Sequence, residues 1–297
     1  MREKRRKKGE EKMGKGLKWA GIGVFALAVL AMVGAYLWAS SLFTSPDAKD
    51  VRSVAGALKA HRVLDVFAHP DDEQLVTGLV TAAKKEGAFV AQITVTRGEA
   101  GHQVPVVARQ SELGIIRWAE ELKAGFALGV DEQQVWDYPD SGVPDVPLAD
   151  LTARIEKAIR RYRPDLVVTF WPASGATGHK DHRRVGLATL LAVQAVHDAP
   201  QGGYAGPANI AFPLTPSKAM RKFGGETGAF VADNQPAPDY RSPASYSAKL
   251  RGWKIHASQA DYTREAYGVP DWLLYLIWDE ELYAVRPGSE AGEIADK

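Results

Sequence analysis

A chain of 297 residues with 45% hydrophobic and 25% charged residues and a formal net charge of +1 has the composition of an ordinary globular protein, one large domain with room for an appendage. It has no cysteine, which excludes disulfides and thiolate ligands, so any metal site must be built from His, Asp or Glu.

The charge is unevenly placed. Residues 1–18 carry nine Lys or Arg against three Glu, and WAGIGVFALAVLAMVGAYLWASSLF (residues 19–43) then runs without a charge. As a helix this stretch is about 37 Å long, enough to cross a bilayer. Trp19 at one end and Tyr36 and Trp38 at the other suit interfacial anchors, and the basic cluster should stay in the cytoplasm. The expected order is a basic cytoplasmic tail (1–18), a single-pass transmembrane signal-anchor (19–43), and the bulk of the chain outside the cell membrane. A cleaved signal peptide is the alternative, with small residues at Ala39-Ser40-Ser41, although such apolar regions usually run to about 7–15 residues. The adjoining apolar span argues against the basic head being a nucleic-acid-binding tail.

Residues 44–60 read as a linker with a short helix running toward Arg62, capped by Ser45 or Asp47. The main domain, residues 61–290, opens with the strand VLDVFA (63–68), a helix from Glu73 to Glu86 and the strand FVAQITVT (89–96). A helix from Val106 to Lys123, a short strand around Gln134–Tyr138 and a helix from Leu148 to Tyr162 follow; Pro164 stops the last. DLVVTFW (165–171) is the most apolar strand, succeeded by a helix from Arg184 to His197. Strands alternating with helices predict an α/β fold: a Rossmann-like, mostly parallel sheet with helices on both faces. From Ala199 the chain is rich in Gly and Pro and reads as loops. A helix from Ser245 to Tyr262 and the aromatic stretch PDWLLYLIWDEELYAV end the pattern, with Trp272 and Trp278 read as core rather than glycan platforms. The charged tail after Pro287 reads as frayed.

Two charged clusters interrupt this pattern. AHPDDE (68–73) closes the first strand and GHKDH (178–182) follows the strand DLVVTFW after a short turn. Ligand crevices of open α/β sheets lie at the carboxyl ends of strands. If the two strands are neighbours, His69, Asp71, Asp72, His179, Asp181 and His182 converge, and a divalent cation is the economical way to hold them together. Two imidazoles and a carboxylate form a common catalytic zinc set that leaves a place for water. The remaining acid and histidine are then free for proton transfer. Against this, Asp72 alone would read as a helix N-cap and a lone histidine as packing or surface.

AHPDDE followed about 110 residues later by GHKDH resembles the LmbE-like, or PIG-L, family of zinc-dependent N-acetylglucosaminyl deacetylases. TRGEAGH (96–102), ARQSELG (108–114), DYPDSG (137–142), KIHASQ (254–259) and EELYAVRP (280–287) are similar to further family segments. The resemblance implies Zn2+ held by His69, Asp72 and His182, with Asp71 as general base on zinc-bound water. It implies His179 as oxyanion stabiliser or leaving-group acid, tuned by Asp181, and sugar contacts from Arg109 and Asp140. The implied substrate is an N-acetylated amino sugar or surface glycoconjugate. Some relatives have a tyrosine where this chain has Thr177.

Other residues stay open. Glu73 and Glu99 are partners for imidazole N–H groups or plain surface acids. His102 and His256 face the pocket or serve surface and packing, while His61 and His197 read as surface or core. Arg183 and Arg184 greet an anionic substrate or are solvated. Three other functions are compatible with the motifs: a two-metal phosphoesterase, a non-haem iron site, and a non-catalytic glycan-binding domain of the same fold.

Overall fold

The computed structural model describes residues 1–296, with the side chains of all but residues 2, 3 and 5–17. Most of the basic tail read from the sequence therefore lies outside the described side chains. The chain divides into two units, Met1–Leu42 and Phe43–Lys297.

The first unit is carried by helix α1 (Arg2–Phe43). Its stretch Lys18–Phe43 is long and apolar enough to cross a membrane, with a mean hydropathy of 2.2 and no buried residue in its most apolar part.

In the second unit eight strands form one sheet among the described residues. They are β1 (Lys49–Asp50), β2 (Arg62–Phe67), β3 (Phe89–Thr96), β4 (Glu132–Tyr138), β5 (Leu166–Val168), β6 (Asn209–Leu214), β7 (Tyr240–Pro243) and β8 (Glu280–Pro287). Their spatial order is β1-β7-β8-β6-β5-β2-β3-β4. From β6 to β4 every pairing is parallel, whereas β8 runs antiparallel to both β6 and β7.

The strands β2, β3, β5 and β6 are buried on both faces, which explains their largely apolar runs, whereas the edge strand β4 is half-buried. The intervening helices are α2 (Val54–Ala57), α3 (Thr77–Lys85), α4 (Leu113–Leu128), α5 (Leu148–Tyr162) and α6 (Lys180–Asp198). The helices α3 and α4 pack on one face; α5 and α6 pack together on the other. The crossover from β2 runs to β3 on one side, and that from β5 runs to β6 on the other, so strand order reverses between β2 and β5. These two strands are direct neighbours, with Val63 opposite Leu166 and Asp65 opposite Val168. Both charged motifs therefore leave the sheet at the same switch point.

Several boundaries differ from the sequence reading. The helix expected to run to Arg62 is only the four residues of α2, capped by Ser53 accepting from the Gly56 amide at 3.0 Å; β1 meanwhile pairs with β7. The helix expected from Glu73 is a 3-10 turn, Asp72–Leu75, followed by α3. The helix expected from Val106 begins at Leu113.

The stretch read as loops after Ala199 contains β6, α7 (Ser217–Phe223), α8 (Gly225–Asp233) and β7. The expected helix Ser245–Tyr262 breaks into α9 (Tyr246–Ile255), a 3-10 turn and α10 (Tyr262–Tyr267), with α11 (Asp271–Ile277) following. In α11 Leu274 and Tyr275 turn inward, leaving Trp272 51% exposed and not in the core. The tail read as frayed forms α12 (Ala291–Ala295), with Ala291 and Ile294 buried against α6.

Candidate functional site

After β2 the chain turns sharply through Pro70. Asp71 adopts φ +94°, in the left-handed region, a conformation that costs a non-glycine residue about 1–3 kcal/mol and persists where surroundings impose it. The turn aims the two aspartates differently. The Asp72 carboxylate folds back, its Oδ2 accepting from the amides of Ala68 (3.1 Å) and His69 (2.7 Å). It is therefore not a cap for the following helix. The Asp71 carboxylate points to Arg117, whose Nη2 lies 2.9 Å from Oδ2. Burial pushes the Asp71 carboxyl up to about 6, against the opposing pull of Arg117.

The second motif starts α6. His179 is its N-cap, the ring Nδ1 accepting from the Asp181 amide at 3.2 Å. One turn on, His182 stacks on Phe170 at 4.1 Å between ring centroids. It places Nε2 3.0 Å from His69 Nδ1 and 3.2 Å from Asp72 Oδ1. Asp72 Oδ2 is 3.7 Å from His69 Nδ1. Two ring nitrogens and the two oxygens of one carboxylate thus approach at separations close to the ~3.3 Å edge of a tetrahedron around an ion with bonds of about 2.0–2.1 Å.

The outer nitrogens decide the tautomers. His182 Nδ1 faces the Gly175 carbonyl at 2.9 Å and the Thr177 hydroxyl at 3.0 Å. His69 Nε2 faces Asp140 Oδ1 and Asp181 Oδ2, each at 3.1 Å. With protons on those outer atoms, two bare nitrogen lone pairs and a carboxylate oxygen face one another, an arrangement that calls for a cation. The electrostatics agree. Burial opposes charging of His69, yet Asp140, Asp181 and Asp72 push its pKa up to about 10. Burial also opposes ionisation of Asp72, but the His182 and His69 rings hold its carboxyl well below the usual range. The cluster demands positive charge at its centre, and the donor set fits a zinc-like ion.

A cavity of about 410 Å³ opens on this cluster, lined by His69, Asp71, Asp72, Asp140, His179 and His182 among others. Asp181 is fully buried behind it; its Oδ2 also accepts from the Ser141 amide at 2.7 Å. Asp181 therefore sits on His69, and it meets His179 through its backbone amide, not its carboxylate. Asp140 lies on the cavity wall, its Oδ2 accepting from the Ala100 amide, while Glu99 Oε1 accepts from the Asp140 amide, each at 2.9 Å.

Arg109 is the clear correction. It precedes α4, its side chain is 81% exposed and paired with Glu112 at 2.5 Å, and it is not among the residues that line the cavity. The arginine that reaches the site is Arg117, 5% exposed on α4, which also donates to the carbonyls of Pro70 and Gly98. The signal was present in the sequence: Leu113, Arg117, Glu120, Glu121 and Ala124 share one buried helix face, so three charges stand inside an apolar stripe.

The open residues also find places. His256 is fully buried, with Nε2 2.6 Å from Glu73 Oε1. His102 lines the cavity mouth. His197 faces the Pro207 carbonyl at 3.1 Å, and His61 is exposed. Arg183 lies over Phe230, and Arg184 donates to the Val146 carbonyl. Trp278, expected in the core, instead lines the cavity with Trp253 and Tyr262.

Comparison with known proteins agrees with this geometry. A 1D-myo-inositol 2-acetamido-2-deoxy-alpha-D-glucopyranoside deacetylase of Kineococcus radiotolerans is 29% identical over 304 aligned residues, covering 83% of this chain and 83% of that protein. Among solved structures, N,N'-diacetylchitobiose deacetylase from Pyrococcus horikoshii superposes with a TM-score of 0.60 at 21% identity, over 80% of this chain and 91% of its own. GalB, a 4-carboxy-2-hydroxymuconate hydratase from Pseudomonas putida, superposes with a TM-score of 0.57 at 17% identity, over 75% and 95%. Such structural likeness speaks to fold alone, since one fold hosts different chemistries. The family model described as PIG-L, GlcNAc-PI de-N-acetylase, matches residues 64–193, a span that contains AHPDDE and GHKDH whole, and the chain thus carries a PIG-L, LmbE-like domain.

Proposed function

We propose that this protein is a zinc-dependent deacetylase that removes the acetyl group from an N-acetylglucosamine-type sugar or glycoconjugate. The observation that carries the reading is the meeting of His69 Nδ1, His182 Nε2 and the Asp72 carboxylate within 3.0–3.7 Å, beside the separately held Asp71, on the wall of one cavity. The name of the Kineococcus relative supplies the substrate class.

A zinc ion held by His69, Asp72 and His182 would polarise the amide carbonyl and acidify the attacking water. Asp71 takes the proton from that water; its Arg117 contact fixes the carboxylate's direction, and a pKa of about 6 suits a base at neutral pH. His179 serves the other side of the reaction. Burial and the neighbouring His69 and His182 rings lower its pKa, so it is neutral, and because Nδ1 accepts from the Asp181 amide its proton sits on Nε2. That N–H can bond the developing oxyanion, while the proton that Asp71 took from the water is the one passed to the departing sugar nitrogen. Asp140 and Arg117 supply polar contacts for sugar hydroxyls, while Trp278 and Tyr262 offer faces for a ring.

The helix Lys18–Phe43 would anchor the chain in the cell membrane, with its basic end cytoplasmic and the catalytic unit outside. Its length, hydropathy and exposure support this.

The test is acetate release from N-acetylglucosamine conjugates by the full chain in detergent, alongside metal analysis. One zinc per chain is expected, and Asp71→Asn should lose about 10²–10⁴-fold in kcat while keeping the metal. Full turnover by Asp71→Asn would remove the base assignment, two tightly held ions would favour a phosphoesterase, and sugar binding without acetate release would leave a glycan-binding domain.

A further inference from the structure

Behind the Asp71–Asp72 pair lies a second buried cluster. Glu121 of α4 is 1% exposed, and its carboxylate joins three elements. Oε1 accepts from Gln92 Nε2 and Thr94 Oγ1 of β3, both at 2.5 Å. Oε2 accepts from the backbone amide of Asp71 at 3.3 Å and lies 3.9 Å from His256 Nε2. His256 in turn grips Glu73, on the far side of Asp72, at 2.6 Å. The preceding glutamate, Glu120, accepts from the Ser258 amide (2.9 Å) and hydroxyl (2.6 Å), which ties the His256 segment to the same helix.

The pair of aspartates is thus held from both flanks, by a carboxylate on the amide before Asp72 and an imidazole on the side chain after it. A turn with φ +94° at Asp71 needs such a hold, because a small rotation there would swing Asp71 and Asp72 together. Local misplacement of that kind is costly when a reacting group must sit within hydrogen-bond reach.

We infer that Glu121, backed by the Glu73–His256 pair, is a positioning residue that fixes the Asp71 turn and so sets the direction of the proposed base relative to the metal ligands. The inference rests on the proposed deacetylase reading for its kinetic consequence, but its structural part is measurable without turnover.

Two readouts on the full chain in detergent test it. In metal-free protein, hydrogen exchange at residues 69–74 should speed up about tenfold or more in Glu121→Ala, with exchange in β5 and α5 unchanged. In zinc-loaded protein the same variant should lose about tenfold or more in kcat, with KM within about twofold and one zinc retained. Glu121→Gln should stay within about threefold of the parent in both. It keeps an oxygen for the Asp71 amide, while Gln92, whose Oε1 has no partner among the described residues, can turn to meet the new NH2.

Parent-like exchange and kcat in Glu121→Ala would overturn the inference, as would a variant whose exchange rises equally everywhere, the mark of a merely structural role. If the parent releases no acetate yet Glu121→Ala still frees residues 69–74, the deacetylase reading fails and the positioning role stands. Should Glu121→Ala not fold, Thr94→Val decides the matter: it removes one donor that fixes the Glu121 carboxylate, and unchanged exchange at residues 69–74 in that variant would refute the role.

Discussion

At the scale of single residues, adjacent acids in this chain do different work because the backbone aims them differently. The types and spacing in AHPDDE and GHKDH were enough to bring His69, Asp72 and His182 to one point, since both motifs close neighbouring strands. What was not legible was which residues stand behind them. Arg117, Glu121 and His256 lie far apart in sequence or inside a helix, and only the packing of α4 against the Asp71 turn and α9 brings them together.

Asp65 poses a separate question, being fully buried in β2 with neither carboxylate oxygen partnered among the described residues. Burial, with Glu281 adding to it, pushes its pKa up to about 8 from 3.8. The folded chain therefore holds a proton that the unfolded chain releases above pH 3.8. The contribution of Asp65 to stability is full below that pH and is lost as pH rises toward 8, with a slope of up to about 1.4 kcal/mol per pH unit. Asp65→Asn removes this term. Its melting temperature relative to the parent should rise between pH 5 and pH 8, read by thermal scans in matched buffers, and a difference that stays flat would show that Asp65 is ionised in the fold.

At the scale of elements, the strands β2 to β5 were readable, the buried ones because strands covered on both faces are apolar runs bounded by turns. The antiparallel edge was not. The strands β6 and β7 sit among Gly and Pro residues whose turn signals mask short strands, and their pairing with β8 is decided by tertiary contact.

The seating of α6 illustrates how an element carries a site. Gly186 lets the helix approach the end of the β5 segment so closely that a Cβ there would lie 2.4 Å from the Phe170 carbonyl oxygen. Phe170 is also the ring on which His182 stacks. Gly186→Ala must therefore push α6 outward and carry His182 with it. A loss of about 1–3 kcal/mol is expected from overpacking, with weaker zinc retention during dialysis against a chelator. Unchanged melting and unchanged zinc retention would mean that α6 accommodates the methyl group without moving.

At the scale of the whole molecule, the division at Leu42 suggests where the chain can be cut. Phe43 already belongs to the second unit: it is 7% exposed and its ring lies 5.6 Å from that of Trp278, on the cavity wall. Thr44 donates to Glu280 Oε2 at 2.6 Å, and β1 pairs with β7. The polar connection after the apolar helix is thus stitched into the sheet and is not a free linker. Removing residues 1–42 takes away the apolar helix up to Phe43 and leaves these contacts intact. On the proposed anchoring and zinc binding, the truncated chain should leave the membrane fraction for the soluble one, keep its melting temperature within about 2 °C and bind zinc as the full chain does, because it retains the core of the second unit. Cutting after residue 50 instead removes Phe43, Thr44 and β1, uncovering Trp278 and the edge of β7. That version should melt lower and lose affinity for N-acetylated sugars, even though every residue of the two motifs is still present. If both truncations behave alike, Phe43 and β1 contribute nothing to the cavity wall; if the shorter cut stays with the membrane fraction, the second unit has a membrane contact of its own.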